Sequence, residues 1–195
     1  MLSAVKYGIK RFIYISSGAV YGNLSNRQSK ETDNLTPISN YGLSKVISET
    51  IVLFYARKYN IIPVIIRIPH VYGNGKNSGI IHNFYTSINK YGYISLDGDG
   101  QQGRNFLHID DLCDSLYAIL ISKISGIYNI TNSAKVTVNK VVEYFSKCIP
   151  FKIKSSKRGV ITNMNLYLDG TKLTKLLGVV NKRSIWDYIR GLYGA

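Results

Sequence analysis

Short apolar runs alternate along the chain with polar, turn-rich segments, and their lengths and spacing predict strands and helices in turn. Residues 12–16 and residues 61–68 are β-branched and apolar runs, as is typical of strands buried on both faces of a sheet. Between them, apolar positions in residues 40–59 recur about every 3.6 residues, which predicts a long helix capped by Ser39 or Asn40. A strand, a helix and a strand in this order form the βαβ unit of a parallel sheet.

The rest of the chain continues the alternation. Residues 2–8 predict the end of a helix stopped at Gly8, and the polar residues 23–40 predict a loop. The later predicted elements are a loop at 70–79, a helix at 80–91, two short strands around a Gly/Asp turn within 93–109, a helix at 111–122 capped by Asp110, a strand at 126–130, a helix at 138–148 capped by Thr137, and short helices at 171–177 and 184–193, the last capped by Ser184. This order predicts the α/β class.

The composition is that of a globular protein. Hydrophobic residues make up 45% of the 195 residues, which excludes a disordered chain and suffices for one core, or one core and a small lobe. No apolar run approaches the roughly 18–20 residues that cross a bilayer, and we expect no signal peptide at the N-terminus. Cys113 and Cys148 lie far apart without metal-ligand spacing. We therefore expect two buried thiols, no metal and a cytoplasmic location.

The net charge of +14 has three interpretations. It can indicate a nucleic-acid binder, an enzyme for a charged phosphate ester, or a coding bias toward lysine with most lysines on solvated faces. The lysines are scattered, and the one dense cluster is FKIKSSKRG at residues 151–159. We favour coding bias for most of the charge, with a few residues binding an anion, and we expect no nucleic-acid partner.

One pair of side chains on the long predicted helix suggests acid–base chemistry. Tyr41 and Lys45 stand four residues apart and therefore share a helix face. A Lys ammonium beside a Tyr hydroxyl favours the phenolate, which can take a proton from a sugar or alcohol hydroxyl. The spacing alone is common in a chain with 16 Tyr, and Tyr72 and Lys76 repeat it inside a Gly/Asn loop. Only the first pair follows a strand that ends in serines.

Six motifs in order resemble a known family: FIYISSGAVYG, SNYGLSKVISE, VIIRIPHVYGNG, GDGQQGRNFLHIDDL, YNI and LDGTKLTKLLG. Together they resemble the NAD-dependent epimerase/dehydratase family of extended short-chain dehydrogenases/reductases, and its nucleotide-sugar epimerase branch. The resemblance implies an α/β fold: the C-terminal part of a Rossmann-type doubly wound parallel sheet, and a small α/β substrate-binding lobe. The implied Rossmann-type part is residues 1–75 and 105–130, and the implied lobe is residues 76–104 and 131–195.

The same resemblance implies catalytic and cofactor-binding residues. Ser17 matches the serine that hydrogen-bonds the reacting hydroxyl, and Tyr41 matches the catalytic base. Lys45 matches the lysine that holds the nicotinamide ribose and favours the tyrosine phenolate. Tyr41, Lys45 and Pro69 would contact the cofactor, NAD or NADP.

Substrate-binding residues follow from the resemblance as well. Arg104 and Arg158 match arginines that bind the substrate diphosphate, a role that suits the planar guanidinium fork. His70 stands where the family often has Asn. Gly18 and Ala19 stand where sugar 4,6-dehydratases carry an acidic pair for water elimination. This difference argues against a dehydratase and for an epimerase or a 4-keto-sugar reductase.

The family begins with a strand and a G-x-x-G-x-x-G turn that holds the dinucleotide pyrophosphate at a helix N-terminus. The clusters GNGKNSG and GDGQQG match later family motifs instead. We therefore expect the Gly-rich turn to lie outside this chain, the sheet to have an exposed edge, and the chain alone neither to bind NAD tightly nor to turn over.

The sequence thus predicts part of a nucleotide-sugar epimerase that oxidises and re-reduces a sugar hydroxyl with NAD. An NAD(P)-dependent 4-keto-sugar reductase is the alternative within enzymes. A truncated inactive remnant, or one half of a split protein with a separate N-terminal fragment, is the alternative outside them. The expected partners are a nucleotide-diphosphate sugar and a second copy, paired through the helix of Tyr41.

Overall fold

The computed structural model describes residues 1–23, 27–73, 79–132, 134–156 and 165–194. The helices in the described ranges are α1 (Leu2–Lys6), α2 (Asn40–Tyr59), α3 (Ile80–Tyr91), α4 (Ile109–Ile121), α5 (Val138–Cys148), α6 (Thr171–Leu177) and α7 (Ile185–Gly191). The strands are β1 (Arg11–Ser17), β2 (Ile62–Ile68), β3 (His70–Tyr72), β4 (Tyr93–Asp97), β5 (Gly103–Arg104), β6 (Phe106–His108), β7 (Gly126–Asn129), β8 (Val136–Thr137) and β9 (Lys152–Ser156).

The central sheet has three parallel strands in the order β1-β2-β7. Ile13 of β1 lies opposite Val64 of β2, and Ile66 of β2 lies opposite Tyr128 of β7. Helix α2 connects β1 to β2, so the predicted βαβ unit is confirmed. The α/β class and the parallel sheet are confirmed with it.

Strand β1 differs from its prediction as a strand buried on both faces. Its residues are half-buried up to Tyr14, Ile15 is exposed, and only Ser16 and Ser17 are buried. In the described part of the chain β1 pairs with β2 alone, so it is an edge strand, and its side chains are less buried than those of the central strand β2. The expected exposed edge of the sheet is β1.

The remaining strands pair in twos with segments that are distant in sequence. β3 pairs with β6 and β4 with β9, both in parallel, whereas β5 pairs with β8 in antiparallel. The prediction that two strands pair around a Gly/Asp turn within residues 93–109 is therefore wrong, because no two strands of this segment pair with each other. The segment holds three strands, and each pairs with a different part of the chain. Strand β9 was not predicted.

Two large apolar clusters lie on different parts of the molecule. One packs the central sheet against α4 and α6, with Val64, Ile66, Leu112 and Leu173 among its buried members. The other joins α3, α5 and α7 to β4 and β6, and its buried members include Phe145. The central sheet that carries Ser17 and the three helices α3, α5 and α7 thus belong to separate cores.

Two local predictions are corrected by the structure. Helix α4 is capped by His108 and not by Asp110, because the His108 Nδ1 accepts the backbone N–H of Asp110 at 3.2 Å. Cys113 is exposed and Cys148 is only partly buried, so the expected two buried thiols are wrong. Cys113 lies on the outer side of α4, away from the buried Leu112.

Candidate active site

Ser17 is the last residue of β1, at the carboxyl end of a parallel strand. Its side chain is buried, and its Oγ accepts the backbone N–H of Ala19 at 3.2 Å. This bond caps a 3₁₀ turn at Gly18–Tyr21. In open α/β sheets ligands bind beyond the carboxyl ends of the strands, so Ser17 stands where a ligand of this sheet would lie.

Tyr41 and Lys45 lie in the first turns of α2, which begins beside that 3₁₀ turn. Ser39 caps the helix by accepting the backbone N–H of Gly42 at 3.0 Å. Tyr41 is 57% exposed, so the residue is accessible to a ligand. The Lys45 Nζ lies 5.8 Å from the centre of the Tyr41 ring, and it donates to the Ile15 carbonyl at 3.2 Å. Lys45 therefore links the Tyr41 face of α2 to the carboxyl end of β1.

Gly42 allows the start of α2 to lie directly against the turn after Ser17. A Cβ at Gly42 would stand 2.5 Å from the Ala19 carbonyl oxygen and 3.1 Å from the Pro37 Cβ. Backbone atoms cannot move aside as a flexible side chain can, so the close approach requires glycine at this position. The structure thus brings the three predicted catalytic residues to one end of the sheet.

Pro69 and His70 follow β2 at the same end of the sheet. Pro69 is buried between β2 and β3, and His70 begins β3. Arg104 is in β5, where its backbone lies between Val136 of β8 and Leu166. Strand β8 and the segment at Leu166 therefore fix the Arg104 backbone from both sides.

His70 and Arg104, two predicted substrate-binding residues, are in direct contact. The Arg104 Nη1 lies 2.8 Å from the His70 Nε2. Burial of the imidazole, together with the nearby Arg104 charge, lowers the pKa of His70 to about 3. Burial also lowers the pKa of Arg104. The third predicted substrate-binding residue, Arg158, lies outside the described residues.

A shallow pocket opens next to the His70 side chain. Its wall includes His70, Tyr72, Ile80, Phe106 and Tyr188. The pocket lies between the start of α3 and the paired strands β3 and β6, and it does not include Ser17, Tyr41 or Lys45. The described residues therefore present two neighbourhoods, one with the serine, tyrosine and lysine and one with the histidine and arginine.

A buried ion pair beneath the first neighbourhood was not predicted from the sequence. Arg67 of β2 donates to both carboxylate oxygens of Glu49, at 3.0 and 2.7 Å. The Glu49 carboxylate also accepts the Ser16 hydroxyl at 2.5 Å. Both charged side chains are almost fully buried. Glu49 stands four residues after Lys45 on α2, so the pair fixes this helix against both strands.

The ion pair continues into a polar network below the 3₁₀ turn. Arg67 donates to the Tyr21 hydroxyl at 2.8 Å, and that hydroxyl donates to the Asn129 Oδ1 at 2.9 Å. Burial raises the pKa of Tyr21, which keeps its hydroxyl able to donate. Asn129 in turn donates to the Ser29 and Asp169 carbonyls. One network thus connects the strand ends with the segments on either side of them.

A signal for this network was present in the sequence. Arg67 interrupts the apolar run of residues 61–68, and a charge inside a strand buried on both faces requires an oppositely charged partner. Residue spacing alone does not identify Glu49 as that partner, because the contact depends on how α2 packs on the sheet.

Two absences among the described residues bear on the class of site. No group of three His, Cys, Asp or Glu side chains that could hold a metal ion occurs among them. No helix in the described ranges has the length and apolar content needed to cross a membrane.

A protein-family comparison matches the chain over most of its length. The model of the NAD dependent epimerase/dehydratase family matches residues 1–131. This range contains Ser17, Tyr41, Lys45, His70 and Arg104.

Curated proteins with two kinds of name, a reductase and an epimerase, are similar to the chain. A dTDP-4-dehydro-6-deoxyglucose reductase of Escherichia coli is 31% identical over 159 residues, covering 79% of this chain and 48% of that protein. An uncharacterized UDP-glucose epimerase of Bacillus subtilis is 30% identical over 140 residues, covering 70% of this chain and 44% of that protein. The chain thus spans about half the length of these relatives.

Solved structures match the fold over nearly the whole chain. The UDP-glucose 4-epimerase of Thermotoga maritima with UDP-glucose has a TM-score of 0.85 and 26% identity, covering 98% of this chain and 64% of that one. The dTDP-glucose 4,6-dehydratase of Streptomyces venezuelae, with NAD bound, has a TM-score of 0.90 and 26% identity, covering 99% and 62%. The α/β fold is therefore that of the Rossmann-type structures in this group.

Proposed function

This chain belongs to the NAD-dependent epimerase/dehydratase family, and we propose that it carries the catalytic and substrate-binding part of a nucleotide-sugar epimerase. The observation that carries this proposal is the position of Tyr41 and Lys45 beside Ser17. The Lys45 Nζ lies 5.8 Å from the centre of the Tyr41 ring and donates to the carbonyl of Ile15, two residues before Ser17, and the Tyr41 side chain is exposed.

Each of the three residues has a distinct role in this proposal. The Tyr41 oxygen, as phenolate, takes the proton of a sugar hydroxyl and later returns it to the same oxygen of the sugar. Lys45 stabilises the phenolate by its positive charge. Ser17 hydrogen-bonds the reacting hydroxyl and holds it near Tyr41. The epimer forms when the sugar ketone is reduced again on its other face.

The residues present fit the nicotinamide end of an NAD site. Lys45 brings an ammonium group, which has three donors, to the carboxyl end of β1. Pro69 closes the adjacent end of β2. In this arrangement Lys45 and Tyr41 would hold the nicotinamide ribose, and Pro69 would line the site. When bound, NAD supplies the hydride acceptor and donor for the reaction.

The turn after Ser17 favours an epimerase over a dehydratase. Gly18 and Ala19 have no titratable group to assist the loss of water. A Cβ at Gly18 would meet the Leu166 and Leu168 side chains at 2.9 and 3.0 Å, so an acidic side chain would be placed against apolar atoms. An NAD(P)-dependent 4-keto-sugar reductase needs no such acid, and the likeness to the Escherichia coli reductase supports it as the second candidate.

We propose a nucleotide-diphosphate sugar as the substrate, with Arg104 and Arg158 binding its diphosphate and His70 close to it. The solved epimerase with UDP-glucose supports the substrate class by its likeness to this chain.

We also propose a Rossmann-type part (residues 1–75 and 105–130) and a substrate-binding lobe (residues 76–104 and 131–195). Most buried members of the two apolar clusters follow this division. The exceptions are Leu173, which packs with the central sheet, and Tyr72 and Phe106, which pack in the other cluster.

The uncovered edge of β1 supports the proposal that a further segment lies beside this strand. Among the described residues no strand pairs with this edge, and such an edge is suited to pairing with another strand. The similar curated proteins are about twice as long as the matched part. We propose that the Gly-rich part of the cofactor site is supplied there, by a longer chain or by a separate N-terminal fragment. If no such segment exists, the chain is an inactive remnant.

An apolar stripe on α2 supports a homodimer. Leu43, Ile47, Ile51 and Phe54 lie on one helix face and are 46–59% exposed. A contiguous exposed apolar patch of this kind is typical of a protein interface. We expect the chain to sediment as a dimer and the Ile47→Glu variant as a monomer, because the added carboxylate would be buried without a partner.

The matched control for the dimer is Leu176→Glu, which changes an exposed leucine on α6. This variant should remain a dimer in the same sedimentation experiment. A wild-type chain that is monomeric at all concentrations, or an Ile47→Glu variant that still dimerises, contradicts the interface.

Calorimetric titration with UDP-glucose and, separately, with NAD tests the proposed function. We expect the chain to bind UDP-glucose, and Arg104→Ala to weaken that binding by roughly tenfold or more through the loss of a charged hydrogen-bond donor. NAD alone should bind weakly. Arg190→Ala removes an exposed arginine elsewhere and should leave binding unchanged. Equal binding by wild type and Arg104→Ala contradicts the proposal.

A further inference from the structure

The contact between His70 and Arg104 joins two strand segments that meet in the fold but not in the sequence. His70 lies opposite Phe106 in the parallel pairing of β3 with β6, and Arg104 stands two residues before Phe106. The guanidinium therefore reaches back across the pairing to the imidazole, at 2.8 Å. The His70 ring also packs against the Phe106 ring, with 5.9 Å between their centres.

The chemistry of the two groups fixes the direction of this hydrogen bond. A guanidinium has only donors, so the His70 Nε2 accepts and cannot carry a proton. The imidazole is then neutral, and its single proton lies on Nδ1. The lowered pKa of His70 agrees with this state.

We propose that His70 is a positioning residue that holds the Arg104 guanidinium in one orientation toward the substrate diphosphate and stays neutral while doing so. This inference rests on the proposed function of the same site. By occupying one donor of Arg104, the imidazole fixes the plane of the fork before the ligand arrives. A side chain ordered in advance loses less conformational freedom on binding. In this proposal Arg104 contacts the substrate, and His70 acts only by orienting Arg104.

UDP-glucose affinity of three forms of the chain tests the positioning role. In His70→Leu the acceptor is lost, and we expect the affinity to fall by roughly tenfold or more. In His70→Gln the amide oxygen can stand near the position of Nε2, and we expect affinity within about threefold of wild type. Circular dichroism spectra of the two variants are compared with that of the wild type to check that each variant is folded. Equal affinities of the Leu and Gln variants overturn the proposal, because packing alone would then explain His70.

The pH dependence of the wild-type affinity separates a neutral His70 from a charged one. If His70 gained a proton on binding the diphosphate, affinity would rise as pH falls. A neutral acceptor predicts no change between pH 5 and pH 8, and a rise at low pH overturns the proposal. Within the described ranges, the charged or titratable neighbours are Arg104 from β5, and Tyr72, His82 and Tyr188 on the pocket wall. The measurement is therefore repeated with His82→Asn.

Ring nitrogen NMR of the ligand-free chain tests the pairing independently of binding. We expect the His70 signals of a neutral ring with its proton on Nδ1, unchanged down to pH 5. A proton on Nε2, or a charged ring at pH 5, overturns the proposal. If the ring has the expected form but UDP-glucose does not bind, the proposed function fails and the pairing stands.

Discussion

Glu49→Ala is expected to lower the free energy of unfolding by about 3–5 kcal/mol, because it leaves the Arg67 charge buried without its partner. Arg67 is almost fully buried and donates two hydrogen bonds to Glu49. The Ser16 hydroxyl loses its acceptor in the same variant. Chemical denaturation of the wild type and the variant measures the loss.

Two controls distinguish the buried charge from a general effect of substitution. Glu143→Ala removes a carboxylate that pairs with Lys147 at the surface, and exposed pairs contribute little, so its stability should stay close to wild type. The double variant Glu49→Leu with Arg67→Met removes both charges and should recover most of the loss. If the Glu49→Ala chain is as stable as the Glu143→Ala chain, the buried network does not contribute to the free energy of unfolding as expected.

Tyr41→Phe is expected to lower turnover by about 10²–10⁴-fold, the usual contribution of a general base. The assay uses the chain joined to a Gly-rich first half from another family member, which supplies the proposed pyrophosphate-binding part of the cofactor site. Phenylalanine keeps the ring but removes the oxygen that takes the proton. Binding of UDP-glucose should be unchanged, since Tyr41 is assigned to the chemical step and Arg104 to the diphosphate.

Tyr59→Phe is the matched control, because Tyr59 is an exposed tyrosine at the other end of the same helix. Its turnover should equal that of the wild type. If Tyr41→Phe loses only binding, or keeps full turnover, then Tyr41 is not the base and the role given to Lys45 fails with it.

The parts of the fold that were predictable from sequence are those fixed by local patterns. The βαβ unit follows from two β-branched runs and a periodic helix between them, and Ser39, Thr137 and Ser184 cap helices as expected. Capping depends on a side chain and the next few backbone N–H groups, so it can be read from neighbouring residues. His108 was missed because an imidazole acceptor is an unusual cap.

The parts that were not predictable depend on contacts between distant segments. β4 pairs with β9 in parallel, and β5 pairs with β8, although each pair is separated by more than 30 residues. Periodicity identifies a strand but not its neighbour. The half-buried state of β1 likewise depends on what lies beside it, which a run of β-branched residues does not reveal.

In the candidate site, too, contacts within one helix could be predicted and contacts between distant segments could not. The pairing of Tyr41 with Lys45 follows from helix geometry, and Ser17 follows from its place at a strand end. The ion pair of Arg67 with Glu49 depends on how α2 rests on the sheet. The bond from Arg104 to His70 requires knowing that β3 lies beside β6. Residue types indicated the chemistry, and only the fold showed which side chains meet.

Product analysis of the joined protein tests whether the Tyr41 site epimerises a nucleotide sugar. The chain joined to a Gly-rich first half is incubated with NAD and, in separate reactions, UDP-glucose, UDP-glucuronic acid and UDP-N-acetylglucosamine, and the sugars are analysed by NMR. We expect at least one sugar to be converted to an epimer without net consumption of NAD, and Tyr41→Phe to abolish the conversion. A folded protein that binds NAD and the sugars but forms no epimer would contradict it.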